Sequence, residues 1–157
     1  MCIRDRDIDD HAFVAIDYAN AVRASFTLNM FCPDFAEELV VVGDAGRLKA
    51  EEYHDIHRSG SASASLTLRL GESGVSKTTD LTYPRTIEQS GHHGSTYFEH
   101  IALMDRLEGK AVDSATPLQG MWAMVVASAA QQSLATGQPV DVDTFIADND
   151  LASLLNH

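Results

Sequence analysis

The sequence predicts an α+β fold: an open, mainly antiparallel β-sheet of about six strands with helices packed on one face. Three observations predict it. Apolar and polar residues alternate with period two across the first two thirds of the chain. Short glycine-bearing turns separate these runs, and turns that short join neighbouring strands antiparallel. From Ser90 onward the periodicity becomes helical, with capping signals ahead of the runs.

The strands follow in order. Val14, Ile16 and Tyr18 alternate with Ala15 and Asp17. After Ala19-Asn20, Val22, Ala24, Phe26, Leu28 and Met30 face one way, and Arg23, Ser25, Thr27 and Asn29 the other. These two runs predict a hairpin of half-buried strands. Leu39-Val40-Val41-Val42 reads as a buried strand, Gly43-Asp44-Ala45-Gly46 as its turn, and Arg47 to Glu51 as the return. Ser59 to Ser65 is small and polar, a loop or the frayed start of a strand. Leu66, Leu68 and Leu70 alternate with Thr67 and Arg69. Gly71-Glu72-Ser73-Gly74 turns the chain, and Val75 to Tyr83 runs back.

Three helices are expected. Thr96-Tyr97-Phe98-Glu99 has the spacing of a capping box, and its helix runs to about Glu108 and stops at Gly109. Thr116-Pro117-Leu118-Gln119 is a second box with proline at the first helical position. Its helix passes through Met121, Trp122, Val125, Val126 and Ala129 and stops at Gly137 and Pro139. About 20 residues make a helix about 30 Å long. Its Ala127–Ala130 stretch suits close packing, and Trp122 and the methionines read as core. A tail helix is expected from about Ala147 to Leu155. The bulky Phe13 and Phe31 fall on the sheet's other face, so a second domain or subunit is expected to cover it.

A length of 157 residues suits one domain. Residues 1–9 stand apart. Met1-Cys2-Ile3-Arg4-Asp5-Arg6 resembles a translated sequencing-adapter scar, so this stretch reads as a non-native or truncated leader and 10–157 as the domain proper. A short natural leader is the alternative. Eleven Lys plus Arg against 23 Asp plus Glu give a net charge of −12. A surface that acidic repels nucleic-acid backbones and anionic membranes. Cys2 and Cys32 make neither a disulfide framework nor a zinc set. No apolar run nears the roughly 18 residues of a membrane span, and no signal peptide is visible. A cytoplasmic location is the resulting expectation.

The most concentrated polar signal is Gly91-His92-His93-Gly94-Ser95-Thr96, directly ahead of a helix. Histidine serves as acid, base or donor near neutral pH. Flanking glycines let the backbone approach a ligand, and a helix start offers N–H donors. On spacing alone, a glycine-bounded linker with two solvated histidines explains the stretch as well. Tyr83-Pro84-Arg85 closes the last strand; Arg85 has the fork that holds a carboxylate or phosphate, or is an ordinary loop arginine. Tyr53-His54-Asp55-Ile56-His57 offers metal-ligand types, yet His54 and His57 would point to opposite faces of a strand, so no metal site is expected. His100 falls near the front of the first helix as a surface or supporting group. Cys32 has no histidine partner in sequence. Gly-x-Gly-x-x-Gly, P-loop and Gly-x-Ser-x-Gly patterns are missing.

Three stretches together resemble the C-terminal domain of the Gfo/Idh/MocA family of NAD(P)-dependent oxidoreductases, a dihydrodipicolinate-reductase-like fold. Asp10 to Thr27 is similar to the opening hairpin of the family's sheet, which usually has glycine near Ala21. Glu38 to Leu48 is close to its strand–Gly-x-x-Gly–strand unit. Gly91-His92-His93-Gly94 through Thr136-Gly137-Gln138-Pro139-Val140 resembles its Gly-His-Gly-Gly start and Thr-Gly-x-Pro-Val ending. The resemblance covers nearly everything after residue 9.

It implies the substrate-binding and dimerisation part of an enzyme that transfers hydride between NAD or NADP and a sugar, cyclitol or similar hydroxy compound. It also implies a homo-oligomer formed through the open sheet face. His92 matches the motif histidine, and His93 stands where glycine is usual. His92, His93, Arg85 and Tyr83 are therefore candidates for proximity to substrate or cofactor; no residue is assigned as catalytic. The sequence departs from the full pattern: the Rossmann fingerprint, the Glu-Lys-Pro lysine and the Asp-x-x-x-His pair are missing. The 157 residues thus read as about half of a two-domain enzyme, inactive alone. The alternatives are a free-standing binding or dimerisation module, an NAD-dependent glycosidase relative and, built on the seven histidines, a metal-dependent hydrolase.

Overall fold

A computed structural model describes residues 10–32, 35–54 and 63–155. Residues 1–9, with Cys2, lie outside the described residues, as do Asp55, His57 and most of the Ser59–Ser65 stretch. The fold is α+β, with every strand pair antiparallel. The chain divides into two compact units, Met1–Met104 and Asp105–His157.

In the first unit, β1 (His11–Asp17) and β2 (Arg23–Asn29) form a two-stranded sheet. Val14 stands opposite Phe26, and Ile16 opposite Ala24, which puts the apolar alternates of both strands on one face. The Phe13 side stays open, with Phe13 itself 74% exposed. A type of turn common in three-residue hairpin loops joins the strands. Ala21 N–H donates to the Tyr18 carbonyl at 2.9 Å, Tyr18 N–H donates to the Val22 carbonyl at 2.9 Å, and Asn20 Oδ1 accepts from Val22 N–H at 3.1 Å. Ala21 is left in the left-handed region at φ 64°.

β3 (Phe35–Gly43), β4 (Gly46–His54), β5 (Ser63–Leu70) and β6 (Ser76–Asp80) form a four-stranded sheet in sequence order. The six expected strands are thus present, grouped as two sheets, because β2 and β3 are not ladder neighbours. Asn29 Oδ1 accepts the N–H of Phe31 just past β2 at 3.0 Å, which turns the chain out of the ladder.

Leu39–Val42 forms a strand as expected, but not a buried one. β3 is an edge strand, exposed along its whole length, with Val42 at 73%. The turn after it works as its residues suggest. Gly46 presses so closely on β5 that a Cβ there would sit 2.2 Å from the Arg69 carbonyl oxygen, and only glycine fits such an approach.

After β6, Asp80 Oδ1 accepts the Thr82 N–H at 2.8 Å, and Pro84 opens the short helix α1 (Arg85–Glu88). A 3₁₀ turn, His92–Gly94, leads into α2 (Ser95–Leu107). The capping box on Thr96 does not form. The helix already includes Ser95, and Thr96 N–H reaches back to the Gly91 carbonyl at 3.4 Å, so the 3₁₀ turn does the work of the cap.

In the second unit, α3 (Pro117–Thr136) has the expected box. Gln119 N–H donates to Thr116 Oγ1 at 3.2 Å, and Gln119 Oε1 accepts from Thr116 N–H at 2.8 Å. Gly137, left-handed at φ 68°, closes it with its N–H on the Ser133 carbonyl. The helix contacts α4 (Val142–Asp148) and α5 (Ala152–Leu155), and Val125, Ala129 and Ile146 are buried. Trp122 does not join this core. The covered stripe runs through Met121, Val125 and Ala129 at i, i+4 spacing, which leaves Trp122 at its side, 40% exposed, and Met124 exposed. The single tail helix is two. Asp141 caps α4 earlier than expected by accepting the Thr144 N–H at 2.8 Å, and Asp150 at φ 54° breaks the run before α5.

Candidate functional site

The four candidate residues lie on the connection between β6 and α2. Tyr83 packs its ring on Phe98 of α2, with centroids 4.7 Å apart and planes tilted by 52°. Phe98 in turn meets Tyr97 edge-on at 5.3 Å, a geometry that aromatic pairs favour. Tyr83 thereby ties the end of the sheet to the first turn of α2. Arg85 opens α1 with its side chain exposed, one turn away from Gln89, whose N–H bonds the Arg85 carbonyl at 3.0 Å.

The histidine stretch follows from its glycines. Gly91 and Gly94 have φ of 113° and 101°, which a side chain rarely adopts. A Cβ on Gly94 would meet Ile87 Cγ2 at 3.0 Å, so this glycine lets the turn lie directly on α1. Between them, His92 and His93 are both left-handed, at φ 44° and 54°. Such a pair of non-glycine residues costs on the order of 1–3 kcal/mol each and persists where surroundings hold it.

On His93 the holding contacts are visible. Its ring lies 5.2 Å from that of Phe35 on β3, and its Nδ1 is 3.9 Å from Glu52 Oε1 on β4. The His93 side chain is 25% exposed and that of Glu52 27%. His92 is exposed. The two adjacent histidines thus have different situations. His93 fastens the turn to the four-stranded sheet, and His92 is held out from it by the same backbone.

Glu52 and Phe35 are the residues that sequence reading missed. They stand some 40 and 60 positions before His93 in the chain, and nothing in their own neighbourhood marks them. Only the ladder brings them together: it puts Glu52 opposite Glu37, on the side of the sheet that carries Phe35, Leu39 and Val41, where a carboxylate needs a partner.

The other motifs do not converge here. His100 lies exposed on α2, and Cys32 is an exposed free thiol. His54 ends β4, while Asp55 and His57 lie outside the described residues. Among the described residues no group of three or more His, Cys, Asp or Glu side chains is placed to hold a metal ion. No described helix is long and apolar enough to cross a membrane.

A dinucleotide cradle needs a parallel βαβ unit and a glycine-rich turn onto a helix N-terminus. The described strands pair only antiparallel, and no Gly-x-Gly-x-x-Gly occurs. These residues do not by themselves fit a nicotinamide dinucleotide. Their imidazoles, guanidinium and phenol stand on the one connection between β6 and α2.

The model of an oxidoreductase family's C-terminal α/β domain, that of Gfo/Idh/MocA proteins, matches residues 3–142. No curated protein and no solved structure matches the chain significantly.

Proposed function

Because the chain belongs to the Gfo/Idh/MocA oxidoreductase family as its C-terminal α/β domain, we propose that it is the substrate-binding and dimerisation part of an NAD(P)-dependent enzyme acting on a sugar, cyclitol or similar hydroxy compound. The observation that carries the reading is the His92-His93 turn. It stands where the family's Gly-His-Gly-Gly pattern falls, and its backbone is left-handed at both histidines.

In this reading the work is divided along the turn. His92 donates to or accepts from a substrate hydroxyl, and moves its proton if that hydroxyl is the one oxidised. His93, on Glu52 and Phe35, fixes where His92 stands. Arg85 and Tyr83 supply further polar contacts at the rim. The nicotinamide supplies the hydride chemistry and is bound by a dinucleotide-binding domain preceding this one in the full protein. Two copies associate through the open sheet face. The protein acts in the cytoplasm.

The test is a comparison of two proteins. The 157-residue chain alone is expected to bind no NAD(P) in calorimetry and to reduce none with a panel of sugars and cyclitols. The full protein is expected to turn over at least one of them. His92→Ala in the full protein should lower kcat/KM on the order of ten- to a hundredfold, the worth of one or two hydrogen bonds to a polar group. Turnover by the 157-residue chain alone would refute the division of labour, and unchanged kcat/KM in His92→Ala would remove His92 from the site.

A further inference from the structure

β4 and β5 set two arginines side by side. Arg47 stands directly opposite Arg69 in their ladder. Facing residues of a ladder share one side of the sheet, with Cβ atoms about 4.5–5.5 Å apart. Val42 on β3 and Ser76 on β6 complete the row. Both arginines are exposed. Like charges directly opposite one another destabilise a sheet unless something answers them.

Carboxylates are plentiful in this chain, 23 in all, and other cations use them. Arg23, Lys49 and Lys110 each have one no more than 3.1 Å away. Arg47 and Arg69 make no salt bridge among the described residues. The acidic row of the same face, Glu38, Glu51 and Asp80, crosses β4 four residues further on, about 13 Å away. Lys49 stands between the two rows and bonds Glu38 at 2.7 Å and Glu51 at 2.5 Å. Arg47 exerts only the weakest of the pulls that hold the Glu38 carboxyl below its ordinary value. The sheet thus carries a paired positive charge that its own carboxylates leave open.

We infer that the Arg47–Arg69 pair is a binding site for a small dianion of the phosphate class, the free ion or a phosphate ester. Each guanidinium presents a planar fork of N–H donors that matches an oxyanion bidentately. A carboxylate fills one fork and brings one charge. A phosphate group brings about two charges and three acceptor oxygens on one centre, which is what two adjacent forks require. Ser76, opposite Arg69, adds a hydroxyl at the end of the row. The acidic row limits the size of the ligand. It stands little more than a Debye length away, in a chain of net charge −12, so a nucleic-acid strand or an anionic membrane covering both rows is repelled. A group confined to the arginine row escapes most of that repulsion. The pair also lies away from the histidine turn. Glu52, 3.9 Å from His93, alternates with Arg47 along β4 and so belongs to the opposite face. A phosphate at Arg47 and Arg69 is therefore a second ligand, separate from whatever His92 holds.

Titration of the 157-residue chain with inorganic phosphate, and separately with methyl phosphate, tests this by calorimetry above pH 7, where both are mostly dianions. One site per chain is expected, weakening as NaCl rises from about 0.05 to about 0.5 M. Tighter binding of inorganic phosphate supports the free ion as the ligand, and tighter binding of methyl phosphate supports an ester. Acetate should bind at least tenfold more weakly than either. Arg47→Gln and Arg69→Gln should each weaken phosphate binding by about tenfold or more, the worth of one charge-assisted hydrogen bond, and the double variant should lose it. Lys77→Gln removes the same charge from the other face, since Lys77 stands opposite Leu68, and should bind as wild type. Circular dichroism establishes that each variant is folded. In phosphate-free buffer Arg69→Gln should have the higher urea midpoint, because it relieves the like-charged pair. Phosphate should raise the wild-type midpoint beyond NaCl of equal ionic strength and leave that of the double variant unmoved. No binding of either phosphate would overturn the inference. So would binding that Arg47→Gln/Arg69→Gln retains, an equal loss in Lys77→Gln, or acetate that binds as tightly.

Discussion

Replacing Ala21 by glycine should stabilise the protein, against the usual direction of such a change. Ala21 sits at φ 64° in the loop between β1 and β2, fixed there by the 2.9 Å bond from its N–H to Tyr18 and the 2.9 Å bond from Tyr18 N–H to Val22. A left-handed L-residue costs about 1–2 kcal/mol. Glycine removes that cost and adds about 0.5–1 kcal/mol of chain entropy lost on folding. The methyl group is exposed, so little burial is forfeited. The net expectation is a gain of about 0.5–1 kcal/mol. A urea titration followed by circular dichroism should move its midpoint upward by about 0.3–0.7 M at a slope of roughly 1.5 kcal/mol per M, and Tm should rise by about 1–4 °C. Ala21→Val should shift both downward, since a branched Cβ tolerates this region least. If Ala21→Gly leaves the midpoint unchanged or lowers it while Ala21→Val is neutral, the left-handed turn is not the conformation of this loop in solution.

Other positions give equally direct expectations. Gly46→Ala should cost about 1–3 kcal/mol or prevent the β4–β5 pairing, because its Cβ would meet backbone that cannot swing aside; chemical denaturation measures it. Thr116→Ala should cost about 1 kcal/mol through loss of the α3 cap, and Thr116→Ser should restore most of it. The pH dependence has a definite sign. Asp141 and Asp80 are held below the ordinary carboxylate value by hydrogen bonds from Thr144 and Thr82, and Glu38 by Lys49. Their unfolded forms therefore take up protons first, so the stability they contribute is full above about pH 4–5 and is lost as pH falls through the lower folded values. Lys49 and Lys110, raised by their carboxylate neighbours, contribute below about pH 10.5 and lose it as pH rises through the higher folded values. Urea midpoints between pH 7 and pH 2.5 should fall, and Asp141→Asn should flatten part of that fall.

Much of the fold was legible because it is set by near neighbours. The β1–β2 alternation, the glycine turn between β3 and β4, and the Thr116–Gln119 box all depend on residues within a few positions of one another. What escaped depends on distance. The exposure of β3 follows from its place at the sheet edge, which a four-residue apolar run does not announce. The cap on Thr96 failed because the preceding turn, with Gly91 and two left-handed histidines, already satisfied the helix start. Trp122 missed the core because the stripe of α3 that α4 covers passes through Val125 and Ala129 beside it.

The candidate site divides in the same way. Gly91-His92-His93-Gly94 stood out by composition, and so did Arg85 and Tyr83. Which histidine holds and which is held out was not legible, since it is decided by Phe35 and Glu52 on strands far back in the sequence. The two positions where the family resemblance leads one to expect glycine, near Ala21 and at His93, are both left-handed in the structure. A backbone pattern can thus persist where the residue that favours it has been replaced.

Reading the coding sequence immediately upstream of Met1 bears most directly on the proposal that this chain is the substrate half of a nicotinamide-dependent enzyme. The expected result is that, in the source gene, the frame of the domain that begins at Asp10 continues upstream into a βαβ unit carrying Gly-x-Gly-x-x-Gly and, beyond it, a Glu-Lys-Pro lysine. An in-frame stop codon and a promoter directly before Met1 would contradict it and leave a free-standing binding or dimerisation module instead.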